Sequence, residues 1–200
     1  MPFDGSRLIV GAGTLYVAPI GSVEPTSVTG AWGTGWTLVG YTHQGSAFES
    51  KPKFAAIEVE EELWAIRQAA TGAEAMITFA LAETTAQNLS ISLNAGFGTG
   101  QVTGSSGTNP DGSVWTEPPT LGTEARLMVG WDALVEGAAQ PVTTGQPLGR
   151  ILMRQALNTG GLKREARKGA NFATYSCTFT AEKPSTKQPF RFFHPATMAS

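Results

Sequence analysis

The segment from residue 36 to residue 96 constrains the fold most, because strand patterns in it lead directly into one short helix. Over residues 74–81 apolar and polar side chains alternate with a period of two, which is typical of a strand with one buried face. The side chains predicted to face the core are Ala75, Ile77, Phe79 and Leu81. Thr84 and Gln87 then have the spacing of a capping box, in which each side chain satisfies a free backbone amide at the helix start. The sequence therefore predicts a helix over about residues 84–95.

The composition indicates a chain made mainly of strands and turns. Glycine (24) and proline (12) account for 36 of the 200 residues, a share that favours turns over long helices. Hydrophobic residues make up 41%, which is enough for a core and too much for a disordered chain. Short apolar runs bounded by turn residues predict further strands over residues 14–18, 36–39, 125–131, 149–157 and 172–181. We therefore expect one mainly β domain over residues 1–200 with a single flanking helix.

Four segments lack a clear strand or helix pattern. They are an N-terminal arm (1–12), a long loop or hairpin (45–56), an excursion from the domain (96–119) and an extended C-terminal tail (184–200). The arm, the loop or hairpin and the tail are too long and too polar to pack within one chain. We expect these three to contact neighbouring copies, whereas the excursion is either a surface decoration or another such contact. Only 15% of the residues are charged, which also indicates a surface partly covered by partners.

Glu58, Glu60 and Glu62 form an acidic row that alternates with apolar residues. On a strand such like charges repel one another, so their face must be open to water. Two carboxylates at this spacing also suit a glycosidase acid/base pair, but the sequence indicates no cleft around them. The row is therefore either a plain solvated face or the lining of an electronegative channel, and we expect the three glutamates to face such a channel.

Aromatic and basic residues supply candidate contacts between subunits. Trp32, Trp36 and Tyr41 lie among glycines and are predicted to be buried at the rim of the sheet or against a neighbouring copy, with a carbohydrate platform as the alternative. The run 163–168 has four cations and one anion but none of the interleaved aromatics of a nucleic-acid patch. We expect a solvated loop or an intersubunit contact there. The basic residues assigned to intersubunit contacts are Lys51, Lys53, Lys163, Arg164, Arg167 and Lys168.

No enzyme, metal or cofactor site is predicted. His43 and His194 have no neighbours at metal-ligand spacing, and no nucleophile-elbow motif is present. The single cysteine, Cys177, falls on the apolar face of the predicted strand at 172–181, so we expect a buried structural thiol. The net charge of −2 gives no general hold on nucleic acid. Because the sequence shows neither an apolar leader nor an apolar run of about 18 residues, we expect a soluble protein made in a cytoplasm.

Three parts of the chain together resemble the major tail protein that forms the tail tube of long, non-contractile-tailed bacteriophages. The first is the strand and loop Gly13-Thr-Leu-Tyr-Val-Ala-Pro, which leads to Trp36-Thr-Leu-Val-Gly-Tyr-Thr. The second is the acidic run, followed by the strand at 75–83 and by Thr-Thr-Ala-Gln-Asn-Leu. The third is the strand and polar tail at 172–183. The clear part of the resemblance covers residues 13–95.

The resemblance implies a β-sandwich or β-barrel with a flanking helix, six copies in a ring, and rings stacked into a tube. Strands from each copy would form a continuous inner barrel through which DNA passes into the host. The resemblance also implies contacts with the tape measure, tail terminator and distal tail proteins, and a place in the virion after assembly in the host cytoplasm. It implies no catalysis, no cofactor and no membrane partner. Two alternatives are another tail ring protein, of the tail completion or distal tail kind, and a β-sandwich carbohydrate-binding or adhesion domain.

Overall fold

A computed structural model of the chain confirms a mainly β fold with one short helix. The structure describes residues 13–57, 60, 64, 66–83, 85–97, 106–108, 110–111, 113–134, 147–165 and 174–193. The strands are β1 (Gly13–Pro19), β2 (Thr37–Leu38), β3 (Thr42–Ile57), β4 (Arg67–Leu81), β5 (Ser106–Thr108), β6 (Val114–Thr116), β7 (Leu127–Leu134), β8 (Pro147–Asn158), β9 (Lys163–Glu165), β10 (Thr174–Ala181) and β11 (Phe190–Phe193). The helix, α1, runs over Ala86–Ser92.

Within this described part, nine strands form one antiparallel sheet that curls around a single main core. The strand order is β2-β1-β7-β8-β10-β4-β3, with β11 beside β8 and β9 beside β10. β8 changes partner along one edge, since residues 150–153 pair with β11 and residues 156–158 pair with β10. The sheet folds back on itself where Phe48 of β3, the last strand in the order, contacts the rings of Phe190 and Phe192 of β11, with centroids 5.5 and 5.1 Å apart. The result is a sandwich-like fold.

The main core is built from the inward face of five strands and from the helix. β1, β4, β7, β8 and β10 supply most of its side chains, and Ile91 of α1 covers it. The core face predicted for residues 74–81 is confirmed, because all four of the expected side chains are buried. Tyr175, Cys177 and Phe179 are also buried, which confirms a buried cysteine. Burial raises the pKa of the Cys177 thiol to about 12.

The helix starts one residue later than the sequence predicts. Thr85 is the N-cap, and its hydroxyl accepts a hydrogen bond from the backbone N–H of Asn88 at 3.1 Å. The predicted cap at Thr84 is therefore wrong. The side-chain amide of Asn88 donates to the carbonyl oxygens of Val39 and Glu83, at 3.2 and 2.9 Å. Those two bonds fix the start of the helix to the sheet and explain why the cap falls three residues before Asn88.

The helix also ends earlier than expected, at Ser92 instead of near residue 95. Asn94 takes the left-handed backbone conformation with a φ of 56°, a conformation that asparagine tolerates. Its side chain then acts as a strand partner for Asn158: the Asn94 amide donates to the Asn158 carbonyl at 2.8 Å, and the Asn158 N–H donates to Asn94 Oδ1 at 2.8 Å. The Asn158 amide in turn donates to the carbonyl oxygen of Ser92 at 2.6 Å. The helix end is thus tied to the end of β8.

Three of the four segments that lack a clear strand or helix pattern contain strands. Residues 45–56 lie inside β3 and form one side of a long hairpin with β4, as the hairpin alternative predicts. Part of the C-terminal tail packs on its own chain and not only on neighbouring copies, because Phe190–Phe193 pairs with β8. The excursion at 96–119 contains the separate two-stranded sheet of β5 and β6. The N-terminal arm at 1–12 and His194 lie outside the described residues. No helix in the described part is long and apolar enough to cross a membrane.

Candidate assembly surface

The two longest strands, β3 and β4, continue beyond the core as a two-stranded ribbon. β3 has 16 residues and β4 has 15, and fully buried side chains occur on β4 only from Ala75 onward. The side chains of residues 51–57 are all exposed. We call residues 51–57, residues 67–73 and the connection between them the ribbon. At about 3.3 Å per residue, the ribbon extends roughly 20 Å past the core.

The far end of the ribbon carries exposed apolar side chains. Phe54 is 59% exposed, Ile57 45%, Trp64 81% and Ile66 62%. Monomeric soluble proteins rarely present several large apolar side chains together, and tryptophan is a frequent anchor of protein interfaces. A two-stranded hairpin is also marginally stable alone in water. The ribbon therefore has the properties of a surface that another protein chain covers.

The lysines of the ribbon have partners on the ribbon or beside it. Lys51 Nζ lies 2.7 Å from a carboxylate oxygen of Glu49, and Lys53 Nζ lies 3.4 Å from one of Glu74. These pairs are largely exposed, so each contributes only about 0–1 kcal/mol. The assignment of Lys51 and Lys53 to contacts between copies stays a prediction.

The strand interpretation of the acidic row is wrong at Glu60. β3 ends at Ile57, and Glu60 lies exposed in a turn between β3 and β4. Glu58 and Glu62 lie outside the described residues. The assignment to a channel rested on side chains alternating between the two faces of a strand. Residues in a turn do not alternate in this way, so that argument does not apply to Glu60. The assignment of the three glutamates to a lumen stays a prediction.

A second surface is formed where the loop of residues 20–36 folds over the outer face of β1, β7 and β8. Trp32 stacks on Tyr16 with ring centroids 4.9 Å apart and contacts Trp36 at 4.4 Å. With Phe193, the two tryptophans pack against the buried Ala18, Met128 and Leu152. Trp32 and Trp36 are thus partly buried against the outer face of the sheet, and their assignment to a contact between copies stays a prediction. Tyr41 is not part of this cluster, because it is 72% exposed and lies after β2.

The fit of Trp32 depends on a glycine in the strand below it. A Cβ atom on Gly130 would lie 2.3 Å from the Trp32 ring. Any larger residue there would push the indole off the sheet. The Trp32 Nε1–H donates to Asp132 Oδ2 at 2.9 Å. Asp132 in turn belongs to a buried ion pair with Arg150.

That ion pair joins Asp132 of β7 to Arg150 of β8. The guanidinium donates from Nε to Oδ1 at 2.6 Å and from the second terminal nitrogen to Oδ2 at 2.9 Å. The Arg150 side chain is 3% exposed and that of Asp132 is fully buried. The remaining Arg150 nitrogen donates to the carbonyl oxygens of Ser27 and Gly30 at 3.0 and 2.8 Å. The pair therefore clamps the loop onto the sheet.

A second cluster of charged side chains lines an open cavity of about 340 Å³ beside β8. Its lining residues, which we call the basic pocket, are Glu24, Arg154, Lys187, Gln188, Phe190 and Arg191. Glu24 accepts from Arg154 Nε at 2.9 Å, from a terminal Arg154 nitrogen at 3.0 Å and from Lys187 at 2.6 Å. The loop of residues 20–36 is thus fixed at two points along β8, by Arg150 and by Arg154.

The comparison with known families assigns the chain to one of them. Residues 1–132 match the family model described as phage tail tube protein. The match covers 132 of the 200 residues. This chain belongs to the phage tail tube proteins. No curated protein matches it closely enough to serve as a relative. The family is one of structural components of the virion, which agrees with the absence of an enzyme signature in the sequence.

The matched part of this tail tube protein holds the loop, the ribbon and the helix but not the strands that join them. β8 and β10 lie between β7 and β4 in the sheet, and both follow residue 132 in the chain.

The basic run at 163–168 lies after the matched part of the chain. Lys163 and Arg164 belong to β9, which pairs with β10, while Arg167 and Lys168 lie outside the described residues. Their role in contacts between copies stays a prediction.

Sequence analysis did not find the two buried clamps on the loop of this tail tube protein. A signal was present, since Arg150 and Arg154 interrupt an apolar run at 149–157. Charged residues are seldom buried unless they are paired. Their carboxylate partners, Asp132 and Glu24, stand 18 and 130 positions away, so the spacing within the strand does not reveal them.

The contacts of Glu24 with Arg154 and Lys187 should affect how stability depends on pH. Hydrogen bonds from Arg154, and then from Lys187, lower the pKa of Glu24 from 4.5 to about 2. A lowered pKa in the folded state means that these bonds stabilise the fold above about pH 4.5 and are lost as the pH falls toward 2. We expect the melting temperature of the wild type to fall more steeply between about pH 5 and 2 than that of Glu24→Gln, as measured by calorimetry. Glu117→Gln, at an exposed carboxylate, is the control and should follow the wild type; equal slopes for all three would contradict the prediction.

Proposed function

We propose that this tail tube protein forms hexameric rings that stack into a tube, and that the tube conducts phage DNA into the host. The observation that carries the proposal is the ribbon, which is exposed on both faces and has a large apolar tip. In a tube the ribbon covers a neighbouring copy, and that contact removes Phe54, Ile57, Trp64 and Ile66 from water. At about 25 cal/mol per Å² of apolar surface, such burial favours polymerisation.

The open face of β10, β4 and β3 has the properties of a channel lining. Cys177 of β10 and Phe79 of β4 point into the core. Their neighbours along the strands, Ser176, Thr178 and Thr78, therefore point away from it. Thr78 and Thr178 bring their hydroxyl oxygens within 3.4 Å. Lys51 and Lys53 at this face form the pairs with Glu49 and Glu74 described above, so these charges balance. Hydroxyls and paired charges give DNA phosphates little net positive charge to hold them.

The free edge of β3 supports a ring in which sheets continue from copy to copy. β3 is the last strand in the sheet order, and an edge strand presents unpaired backbone groups. Near the core these groups would pair with the sheet of the next copy in the ring. Regular pairing of β3 with β4 is interrupted between His43 and Ser46 and again between Lys53 and Phe54, and Pro52 lacks a backbone N–H. In the proposal the ring contact therefore uses the regular stretch of residues 46–51, and the rest of the ribbon is left for contact between rings.

Membership of the family supports the wider assembly that we propose. In the proposal, the tube contacts the tape measure protein inside and the tail terminator and distal tail proteins at its ends, and it assembles in the host cytoplasm before it becomes part of the virion. The N-terminal arm and the C-terminal tail contribute to contacts within and between rings. Glu58, Glu60 and Glu62 keep their assignment to the lumen as a prediction, although the turn position of Glu60 also suits a contact between copies.

Electron microscopy of the purified, concentrated chain tests the proposal. Hollow tubes of uniform width are expected by negative stain, and a helical reconstruction should show sixfold rings with the face of Thr78 and Thr178 toward the bore. Single closed rings that never stack would favour a tail completion or distal tail protein. Monomers that bind glycans, with binding lost in Trp36→Ala, would favour the carbohydrate-binding alternative.

A further inference from the structure

We propose that the ribbon of one copy lays an uncharged, alanine-rich face over Tyr41 of a copy in the next ring. The inference rests on the proposed function in one respect, since it takes the ribbon as the contact between rings. It adds which face of the ribbon makes that contact and which side chain of the neighbouring copy it covers.

The two faces of the paired strands in the ribbon differ in charge. Side chains that stand opposite each other in paired strands share a face, and so do side chains two positions apart on one strand. By this rule one face of residues 51–57 and 67–73 carries no charge, and its apolar residues, which we call the apolar strip, are Pro52, Phe54, Ala56, Ala70 and Ala73. Lys51, Lys53 and Arg67 lie on the other face. The charges therefore keep one side of the ribbon in water and leave the other side for a contact.

The apolar strip continues the core face of the same two strands. Ala75 and Ile77 of β4 lie on this face and are buried. Phe48 of β3 stands opposite Ile77 and contacts the rings of Phe190 and Phe192 of the same chain. Farther along, every residue of the apolar strip is exposed. A core face that runs on past the cover supplied by its own chain has the properties of a surface that a second copy completes.

Tyr41 is an aromatic residue on a fixed backbone at the other end of β3. Its N–H donates to Glu83 Oε1 at 3.1 Å, and its carbonyl oxygen accepts from the N–H of Ala82 at 2.9 Å. Gly40 makes room for the Glu83 carboxylate, because a Cβ atom there would lie 2.7 Å from it, and its φ of 97° favours glycine. The Tyr41 side chain is nevertheless 72% exposed. A tyrosine held out in this way is typical of an anchor at a protein interface.

The apolar strip and Tyr41 match in chemistry. The small alanine side chains let an aromatic ring approach the sheet closely, and Phe54 offers a second ring to pack against. The hydroxyl of a covered tyrosine needs a hydrogen-bond partner. Gln68 stands opposite Ala56 on the face of the strip, and its side-chain amide supplies such a partner. A charged side chain covered by this face would find no counter-ion there.

The length of β3 keeps Tyr41 away from the apolar strip of its own copy. β3 begins at Thr42, next to Tyr41, and runs to Ile57. At about 3.3 Å per residue, Phe54 is therefore roughly 40 Å from Tyr41. A second copy shifted along the strand by about that length brings its strip to Tyr41. Because the two surfaces of the contact differ, the arrangement repeats without closing and builds a filament.

Two neighbouring alanines test which face of the ribbon makes the contact. Ala55 and Ala56 are both exposed and lie on opposite faces. Ala56→Glu should raise the critical concentration for tube formation, measured by sedimentation, at least about tenfold, because it places a carboxylate in an apolar contact. Ala55→Glu is the matched control and should stay within about twofold of wild type, as is usual for surface changes. Equal effects of the two variants would overturn the choice of face.

Photo-crosslinking identifies what covers Tyr41 and does not require tubes. Benzoylphenylalanine in place of Tyr41 keeps an aromatic ring there, and mass spectrometry locates its adducts after irradiation of the full chain. We expect covalent dimers that join position 41 to residues 51–57 or 67–73, and we expect them to vanish when Ala56→Glu is added. The same group in place of Leu121, which is 94% exposed, is the control and should give no adduct on the ribbon. Adducts of position 41 elsewhere, or no adducts, would overturn the contact.

The two measurements separate the contact from the function on which it rests. Tubes that tolerate Ala56→Glu, with position 41 crosslinked elsewhere, would overturn the contact and leave the tube in place. A chain that forms no tubes but gives the expected adducts in short oligomers would overturn the proposed tube and support the contact.

Discussion

Replacing residues 52–73 with an Asn-Gly turn is expected to abolish tube formation while the chain stays folded. The replacement joins Lys51 to Glu74, which face each other in the hairpin register, and Asn-Gly is the favoured two-residue turn between antiparallel strands. The described side chains in the removed range lie outside the core, because buried positions on β4 begin only at Ala75. Electron microscopy checks for tubes, and calorimetry checks that the melting temperature stays within a few degrees of the wild type.

A pair of single substitutions gives a matched control for the ribbon. Trp64→Ser and Leu121→Ser each remove a large apolar side chain that is almost fully exposed, at 81% and 94%. Only the first lies on the ribbon, so only Trp64→Ser should weaken assembly. Normal tubes from the shortened chain, or equal effects of the two serine variants, would show that the ribbon is not the contact between copies.

Asp132→Ala should cost about 3–5 kcal/mol of unfolding free energy, because it leaves the guanidinium of Arg150 buried without its carboxylate. For a chain of this size that loss corresponds to a fall in melting temperature of roughly 6–20 °C. The loop of residues 20–36 should loosen as well, since Trp32 loses its hydrogen-bond acceptor. Chemical denaturation followed by tryptophan fluorescence measures the change.

A second, more exposed ion pair supplies the control. Arg126 and Glu182 are 3.0 Å apart with side chains that are each 35% exposed, so Glu182→Ala should cost no more than about 1 kcal/mol. If Asp132→Ala proved no more harmful than Glu182→Ala, the buried pair would not be the clamp that holds the loop.

Strands that bury one face were predictable from the sequence, and the ribbon was not. Residues 74–81 alternate because every second side chain enters the core, and that pattern is visible without a structure. Residues 51–57 have no buried face in the single chain, so no alternation marks them as a strand, and Pro52 between two lysines made a loop an equal alternative. Their strand structure follows instead from pairing with β4.

The cap and the clamps were hidden for a different reason. Thr84 and Thr85 are adjacent and chemically alike, and Asn88, through its bonds to Val39 and Glu83, decides between them. Likewise the partners of Arg150 and Arg154 come from β7 and from a loop far away in the chain. Local spacing cannot reveal a choice made by long-range contacts, whereas it does reveal which side of a strand is apolar.

The place of β8 and β10 in the sheet determines when a newly made chain completes its fold. Both strands are synthesised after β4 and β7, yet they lie between them. A chain leaving the ribosome therefore holds two halves of a sheet that cannot join until the last strands emerge. Pairing such as that of Thr180 with Met76 closes a very long loop, and contacts of this kind form slowly. Each copy thus passes through a period in which its ribbon is already translated and its sheet is still open. During that period the unpaired strands are exposed, and binding by a chaperone would protect them most.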